Sequence, residues 1–182
     1  MRQALVIWTY YYGLNVAAYM HNHLPYGIIC SLNSSLVGHF MIRKFSKADL
    51  DGVMQIWLSA NIDAHHFIPK SYWESNFEMV KEILPDAEVY VYENPDTNEL
   101  LGFIGLTDNY IAGLFVRKDV QSQGIGKELL DYAKEVKDHL SLSVYKQNTR
   151  AVCFYQREHF AIDADTTDAN TGEPELLLAW TR

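Results

Sequence analysis

The chain has 182 residues, enough for one well-packed domain and short for two. Apolar residues make up 48% and charged residues 21%, an ordinary soluble balance, and no run approaches the roughly 20 uninterrupted apolar residues of a membrane helix, so no membrane insertion or membrane partner is expected. Arg2 is the only charged residue among the first 40, which leaves 14 basic against 23 acidic residues in the remainder, a balance that repels phosphate backbones, disfavours nucleic acid and suits a cationic acceptor.

Residues 1–40 are Tyr-rich, nearly uncharged and without a period of 2 or 3.6, and they do not read as the opening of the domain that follows. They match a secretory signal only loosely, with three tyrosines where its apolar core would lie. The domain is expected over residues 41–182, with Met41 as a natural initiator and residues 1–40 as upstream sequence. Mass spectrometry of the native protein would then find a chain beginning near Met41. Cys30 and Cys153 are too few for a disulfide framework or a thiolate zinc site, which makes the cytoplasm the expected compartment.

From Met41 to Phe45 the chain reads as a strand, and Ser46-Lys47-Ala48-Asp49 as a capping box opening a helix with Leu50, Val53, Met54, Ile56 and Trp57 on its apolar stripe. A second amphipathic helix runs from near Lys70 to Leu84 and stops at Pro85. Glu88–Glu93 and Leu100–Thr107 form a hairpin around Asn94-Pro95-Asp96, with Tyr90 and Tyr92 on one face as cross-strand packing. Tyr110–Val116 is a third strand, in which Gly113 marks a bulge or the close approach of another group. Gly124–His139 has helical spacing, Leu140–Tyr145 is a strand and Thr149–Arg157 a short helix. Phe160–Asp163 and Glu175–Trp180 are strands around the 168–173 loop. The order β-α-α-β-β-β-α-β-α-β-β implies an α+β domain, a mixed and mainly antiparallel sheet flanked by helices.

Chemistry concentrates where the third strand turns into the third helix. Gln121-Ser122-Gln123-Gly124-Ile125-Gly126-Lys127 presents free first-turn amides and a positive dipole end, and its glycines let an anion approach. A P-loop would need Gly at Gln121 and Ser or Thr at Glu128, and a dinucleotide fingerprint would need Gly at Leu129, so both fail. Gln121-x-x-Gly124-x-Gly126 after a strand resembles the pyrophosphate motif of the GNAT N-acetyltransferase superfamily. The second constellation, Asn148-x-x-Ala151-x-x-Phe154-Tyr155 after the Leu140–Tyr145 strand and before Phe160, matches the same superfamily in order and spacing.

That resemblance implies an acetyl-CoA-dependent enzyme that moves an acetyl group to a primary amine by direct attack in a ternary complex, without a metal. Leu114, Phe115 and Val116 would offer backbone groups to the pantetheine arm. Gln121, Ser122, Gln123, Gly124, Ile125, Gly126 and Lys127 would hold the pyrophosphate, Asn148 would bond the amide-rich arm, and Tyr155 would protonate the leaving thiolate as general acid. The acceptor would be a small-molecule or peptide amine, and a homodimer is compatible, dimers being common among similar proteins. A non-catalytic acyl-CoA sensor is the competing reading, and the retained Tyr155 argues against it.

One departure from the motif is His159, where the family usually has Gly before the closing Phe; it should adopt or strain against a left-handed helix end. Proton acceptors for the amine are sought among His65, His66, Asp108 and Glu88. The resemblance sets His65 and His66, between the first two helices, beside the acceptor. Trp57, Tyr72, Trp73 and Phe77 at helical spacing read as core, and Cys153 has no obvious base and no nucleophilic role.

Overall fold

A computed structural model of the protein describes residues 41–182, and the expectation that residues 1–40 precede the domain lies outside the described residues. The expected element order is borne out: β1 (Met41–Lys44), α1 (Leu50–Ala64), α2 (Lys70–Ile83), β2 (Glu88–Asn94), β3 (Glu99–Thr107), β4 (Tyr110–Val116), α3 (Ile125–Val136), β5 (His139–Tyr145), α4 (Thr149–Arg157), β6 (Ala161–Thr167) and β7 (Pro174–Thr181). The strands form one sheet in the order β1-β2-β3-β4-β5-β7-β6, antiparallel throughout except between β4 and β5. His139 was expected to close α3. It opens β5 instead, because it pairs with Thr181 and its ring meets the Asn109 amide at 2.8 Å.

Each face of the sheet carries its own core. Ile104, Leu106, Leu129, Leu130, Leu142 and Leu178 pack between the sheet and the α3 side, and Val53, Met54, Val80, Val91 and Phe103 pack under α1 and α2. Full burial of each such side chain stabilises by about 2 kcal/mol against leaving it in water. Tyr90 and Tyr92 share one face of β2 as expected, Tyr90 opposite Ile104 of β3 and Tyr92 opposite Ile42 of β1 within one cluster. Their rings lean on α3, where Tyr90 meets Tyr132 at 4.7 Å and the Tyr92 hydroxyl donates to Glu128 at 2.8 Å.

The capping box before α1 forms, and its acid does more than cap. Asp49 Oδ2 accepts from the Ser46 amide at 2.7 Å and from its hydroxyl at 2.9 Å. Arg43 donates to both Asp49 oxygens at 2.7 and 2.8 Å and also to Glu93, so one guanidinium ties β1, the start of α1 and β2 together. The Arg43 guanidinium holds the buried Asp49 carboxyl at about 2, below its usual 3.8.

Candidate active site

The site is built on a split in the sheet. β4 and β5 run parallel but meet at one pair, Tyr110 with Ser141. β4 carries a bulge, since Gly105 faces Gly113 while Leu106 faces Ile111, and the extra residue Ala112 sharpens its twist. β5 meanwhile stays paired to β7 from His139 to Tyr145. The Tyr110 hydroxyl fills the notch where the strands part and accepts from the Ser143 amide at 3.2 Å. Gly113 is beside the bulge and also under a close approach: an added Cβ would be 2.2 Å from the Phe115 ring.

Beyond the notch, β4 pairs with no further strand on this side among the described residues. Arg117 N–H donates to the Leu101 carbonyl at 2.8 Å, and alternation along an antiparallel strand then turns the backbone groups of Leu114 and Val116 away from β3 and into the opening. Phe115 corrects the expectation that all three residues serve the opening. Its backbone faces β3, and its ring is on the opposite side of the sheet, stacked on Phe103 at 4.9 Å.

The opening continues into a groove of about 1110 Å³ that reaches from the end of α1 past the start of α3 to α4. Ser122 and Gly124 take left-handed backbone conformations, φ 64° and 97°, which turn the chain sharply into α3. Among the described residues, no loop carbonyl accepts from the amides of residues 124–127, as expected of a first helical turn. Gly126 faces the same space: a Cβ there would be 3.5 Å from Leu114, 3.7 Å from Val116 and 3.9 Å from Phe154. The Ile125 side chain belongs to the core, Gln123 is exposed, and Lys127 pairs with Asp131 at 2.5 Å.

Gln121 is a brace. Its amide donates to the Val116 carbonyl at 3.0 Å and its oxygen accepts from Arg150 at 2.6 Å. Arg150 also donates to Ser122 Oγ at 3.1 Å. The other cations along the groove are bound to acidic or carbonyl partners: Lys118 to Asp63 at 2.8 Å, Lys134 to the Glu158 carbonyl at 2.7 Å and Arg157 to Glu158 at 3.5 Å. Arg150 meets the neutral Gln121 and Ser122 side chains, so its positive charge beside the amide cradle would suit an anion. The sequence reading missed it, although a basic residue inside the Asn148-x-Arg150-Ala151 motif was an available signal.

On α4, Asn148 Oδ1 caps the helix by accepting from Ala151 N–H at 3.2 Å. Tyr155 follows seven residues later, about two turns, and lies buried between Phe154 at 5.1 Å and Phe160 at 5.5 Å while still lining the groove. Burial, with a smaller contribution from Tyr110, pushes the Tyr155 phenol above its ordinary value of 10. His159 does adopt the left-handed conformation, φ 68°. It donates to the Gln156 carbonyl at 3.0 Å, and Phe160 donates to the Tyr155 carbonyl at 2.9 Å, the two bonds of a Schellman ending. It also lines the far end of the groove, closer to the site than its place after the motif suggested.

His65 and His66 separate. His66 is exposed beside Phe67, whereas the His65 ring is largely buried, stacked on Trp73 at 5.2 Å and met edge-on by Tyr145 at 5.2 Å. Asn148 Nδ2 lies 3.3 Å from His65 Nε2. Burial lowers the His65 imidazole to about 4. Trp57, Trp73 and Phe77 are core as expected, while Tyr72 lines a second cavity of about 490 Å³ together with Phe67, Asn170, Thr171 and Glu173. Neither cavity includes Asp108, in the β3–β4 turn, or Glu88, which is bound by Tyr90 and Lys137. Cys153 is exposed on α4. Among the described residues, no group of three His, Cys, Asp or Glu side chains could hold a metal, and no helix is long and apolar enough to cross a membrane.

Comparison with known proteins reaches the same region. The model of the acetyltransferase (GNAT) domain matches residues 85–162. The peptidyl-lysine N-acetyltransferase YiaC of Escherichia coli K12 is 31% identical over 142 residues, 77% of this chain and 96% of the relative. The peptidyl-lysine N-acetyltransferase YjaB of Salmonella typhimurium is 32% identical over 137 residues, 75% of this chain and 94% of the relative. The solution structure of apo-form YjaB from Escherichia coli superposes with a TM-score of 0.70 at 26% identity, covering 78% of this chain and 97% of that one. The PaiA N-acetyltransferase of Thermoplasma acidophilum, crystallised with coenzyme A, shares the fold with a TM-score of 0.68 at 20% identity, covering 79% of this chain and 99% of that one.

Proposed function

Because the chain belongs to the GNAT acetyltransferase family, we propose that it is an acetyl-CoA-dependent enzyme that acetylates the side-chain amine of lysine in a peptide or protein, by direct attack within a ternary complex. Two relatives at about 30% identity are peptidyl-lysine N-acetyltransferases, which favours lysine over a free small amine. The observation that carries the reading is the alignment, along one groove, of the open β4 edge, the amide cradle at α3 with Arg150, and Tyr155.

The backbone groups of Leu114 and the N–H of Val116, whose carbonyl is taken by Gln121, would suit an amide-rich pantetheine arm laid along the strand edge. The amides of residues 124–127 and the Arg150 guanidinium suit the diphosphate. The bound thioester supplies an acyl carbon open to nucleophiles and a sulfur leaving group. A backbone amide of β4, at Leu114 or Val116, stabilises the negative charge that develops on the acyl oxygen. As the amine nitrogen bonds to the acyl carbon and the carbon–sulfur bond breaks, Tyr155 gives its phenolic proton to the sulfur. The proton lost from nitrogen leaves through solvent and restores the phenol. The raised Tyr155 phenol remains protonated at neutral pH, as a general acid must.

Replacing Tyr155 with Phe keeps the ring packing and removes the proton. Turnover on a lysine peptide, followed by thiol release, is expected to fall by about 10² to 10³, with coenzyme A affinity by calorimetric titration unchanged. Unaltered turnover removes Tyr155 from the mechanism. Tight coenzyme A binding with no thiol release on any amine favours a sensor instead.

A further inference from the structure

We propose that His65 is a positioning residue for coenzyme binding: it holds the Asn148 carboxamide, at the start of α4, in one orientation beside the groove. The inference rests on the transferase reading above, and it gives His65 a place in the donor half of the site rather than beside the acceptor.

The hydrogen bonds settle which way the amide faces. Asn148 Oδ1 must be the atom that accepts from Ala151 N–H, so the atom 3.3 Å from His65 Nε2 is the amide nitrogen, a donor. A donor needs a lone pair on Nε2, which requires a neutral imidazole carrying its proton on Nδ1. That nitrogen is buried without a hydrogen-bond partner, and the nearby Asn61 backbone acts on the ring in the sense that favours a bound proton. The ring is wedged by Trp73, Tyr145 and Phe67, the last at 5.8 Å, and this packing keeps water away. Burial and the neighbouring His66 then keep the ring neutral, at about 4. Tyr145, the titratable group on the opposing strand, is itself raised by burial and by its bond to Asp168, and it stays neutral.

The contact joins parts of the chain 83 residues apart. His65 closes α1 and Asn148 opens α4. Without the acceptor at His65 the carboxamide can rotate, and the helix cap and the remaining Asn148 N–H facing the groove lose their fixed direction. A general base at the same position would behave differently, because it must titrate within the working range.

The test uses the full chain with acetyl-CoA and a lysine peptide. His65→Phe keeps a ring in the wedge and removes the acceptor; KM for acetyl-CoA and the dissociation constant of coenzyme A should rise about tenfold, the effect of one buried bond, with kcat within about threefold. His65→Gln replaces Nε2 by a carbonyl oxygen and should restore affinity to within about threefold. Adding His65→Phe to Asn148→Ala should cost nothing further, the signature of a shared interaction.

A wild-type acid limb of kcat/KM near pH 6.5 that vanishes in His65→Gln makes the residue a base and overturns the proposal. So does His65→Gln binding coenzyme A as weakly as His65→Phe. If His65→Phe does not fold, His65→Gln decides alone, near-native affinity supporting the proposal and a tenfold loss overturning it. Absence of turnover on every lysine peptide removes the transferase reading, while the coenzyme A affinities still read His65.

Discussion

His159 ends α4 at φ 68°, a conformation that costs an L-residue about 1 kcal/mol relative to glycine. Its neighbours complete the ending through two backbone bonds and the Tyr155–Phe160 ring contact at 5.5 Å, so the strain is outweighed locally. His159→Gly should raise the melting temperature by about 2 to 4 °C, measured by calorimetry; a lower value means the imidazole makes contacts worth more than the strain. His65 has a pH signature of its own. Its folded value, about 4, lies below its ordinary 6.5, so the unfolded chain binds a proton first as pH falls. Its stabilising contribution is therefore complete above pH 6.5 and is lost from there down toward pH 4. Denaturant unfolding of His65→Gln across that interval should show a shallower loss of stability than the wild type; parallel curves would mean that the ring titrates normally.

The strand–loop–helix unit from β4 to α3 is the element on which the proposed cofactor binding rests. Gly126 leaves open the space between Leu114, Val116 and Phe154, and the adjoining first-turn amides are free. Gly126→Glu would put a carboxylate at the proposed diphosphate position, adding bulk and like charge together. Coenzyme A binding is expected to disappear in titration calorimetry while the circular dichroism and melting temperature stay near wild type, since the residue faces the groove and not the core. Retained binding would move the phosphate site elsewhere. Glu128, the acid already in this helical turn, is tied to the Tyr92 hydroxyl.

Over the whole molecule, charge is the long-range term. The chain carries a formal net charge of −8, and the part after residue 40 holds 23 acidic residues. The field of such a domain draws in cationic peptides and is screened over about 8 Å at physiological salt. KM for a lysine peptide with basic flanks should therefore rise severalfold between about 0.05 and 0.5 M salt, with kcat nearly constant. A salt-independent KM would mean that the charge of the domain plays no part in recognition.

The sequence by itself determined the order of elements, the amide cradle at Gly124 and Gly126, and Asn148 and Tyr155 on one short helix. Each of these is written in a contiguous stretch whose period, turn residues and spacing act within a few residues of one another. Only the tertiary structure decided that Phe115 turns away from the opening, that Arg150 crosses 29 residues to reach Gln121, and that His65 meets Asn148 while His66 stays exposed. Those outcomes depend on how a bulged strand, two helix ends and an aromatic wedge pack together, and no local pattern in the chain encodes that packing.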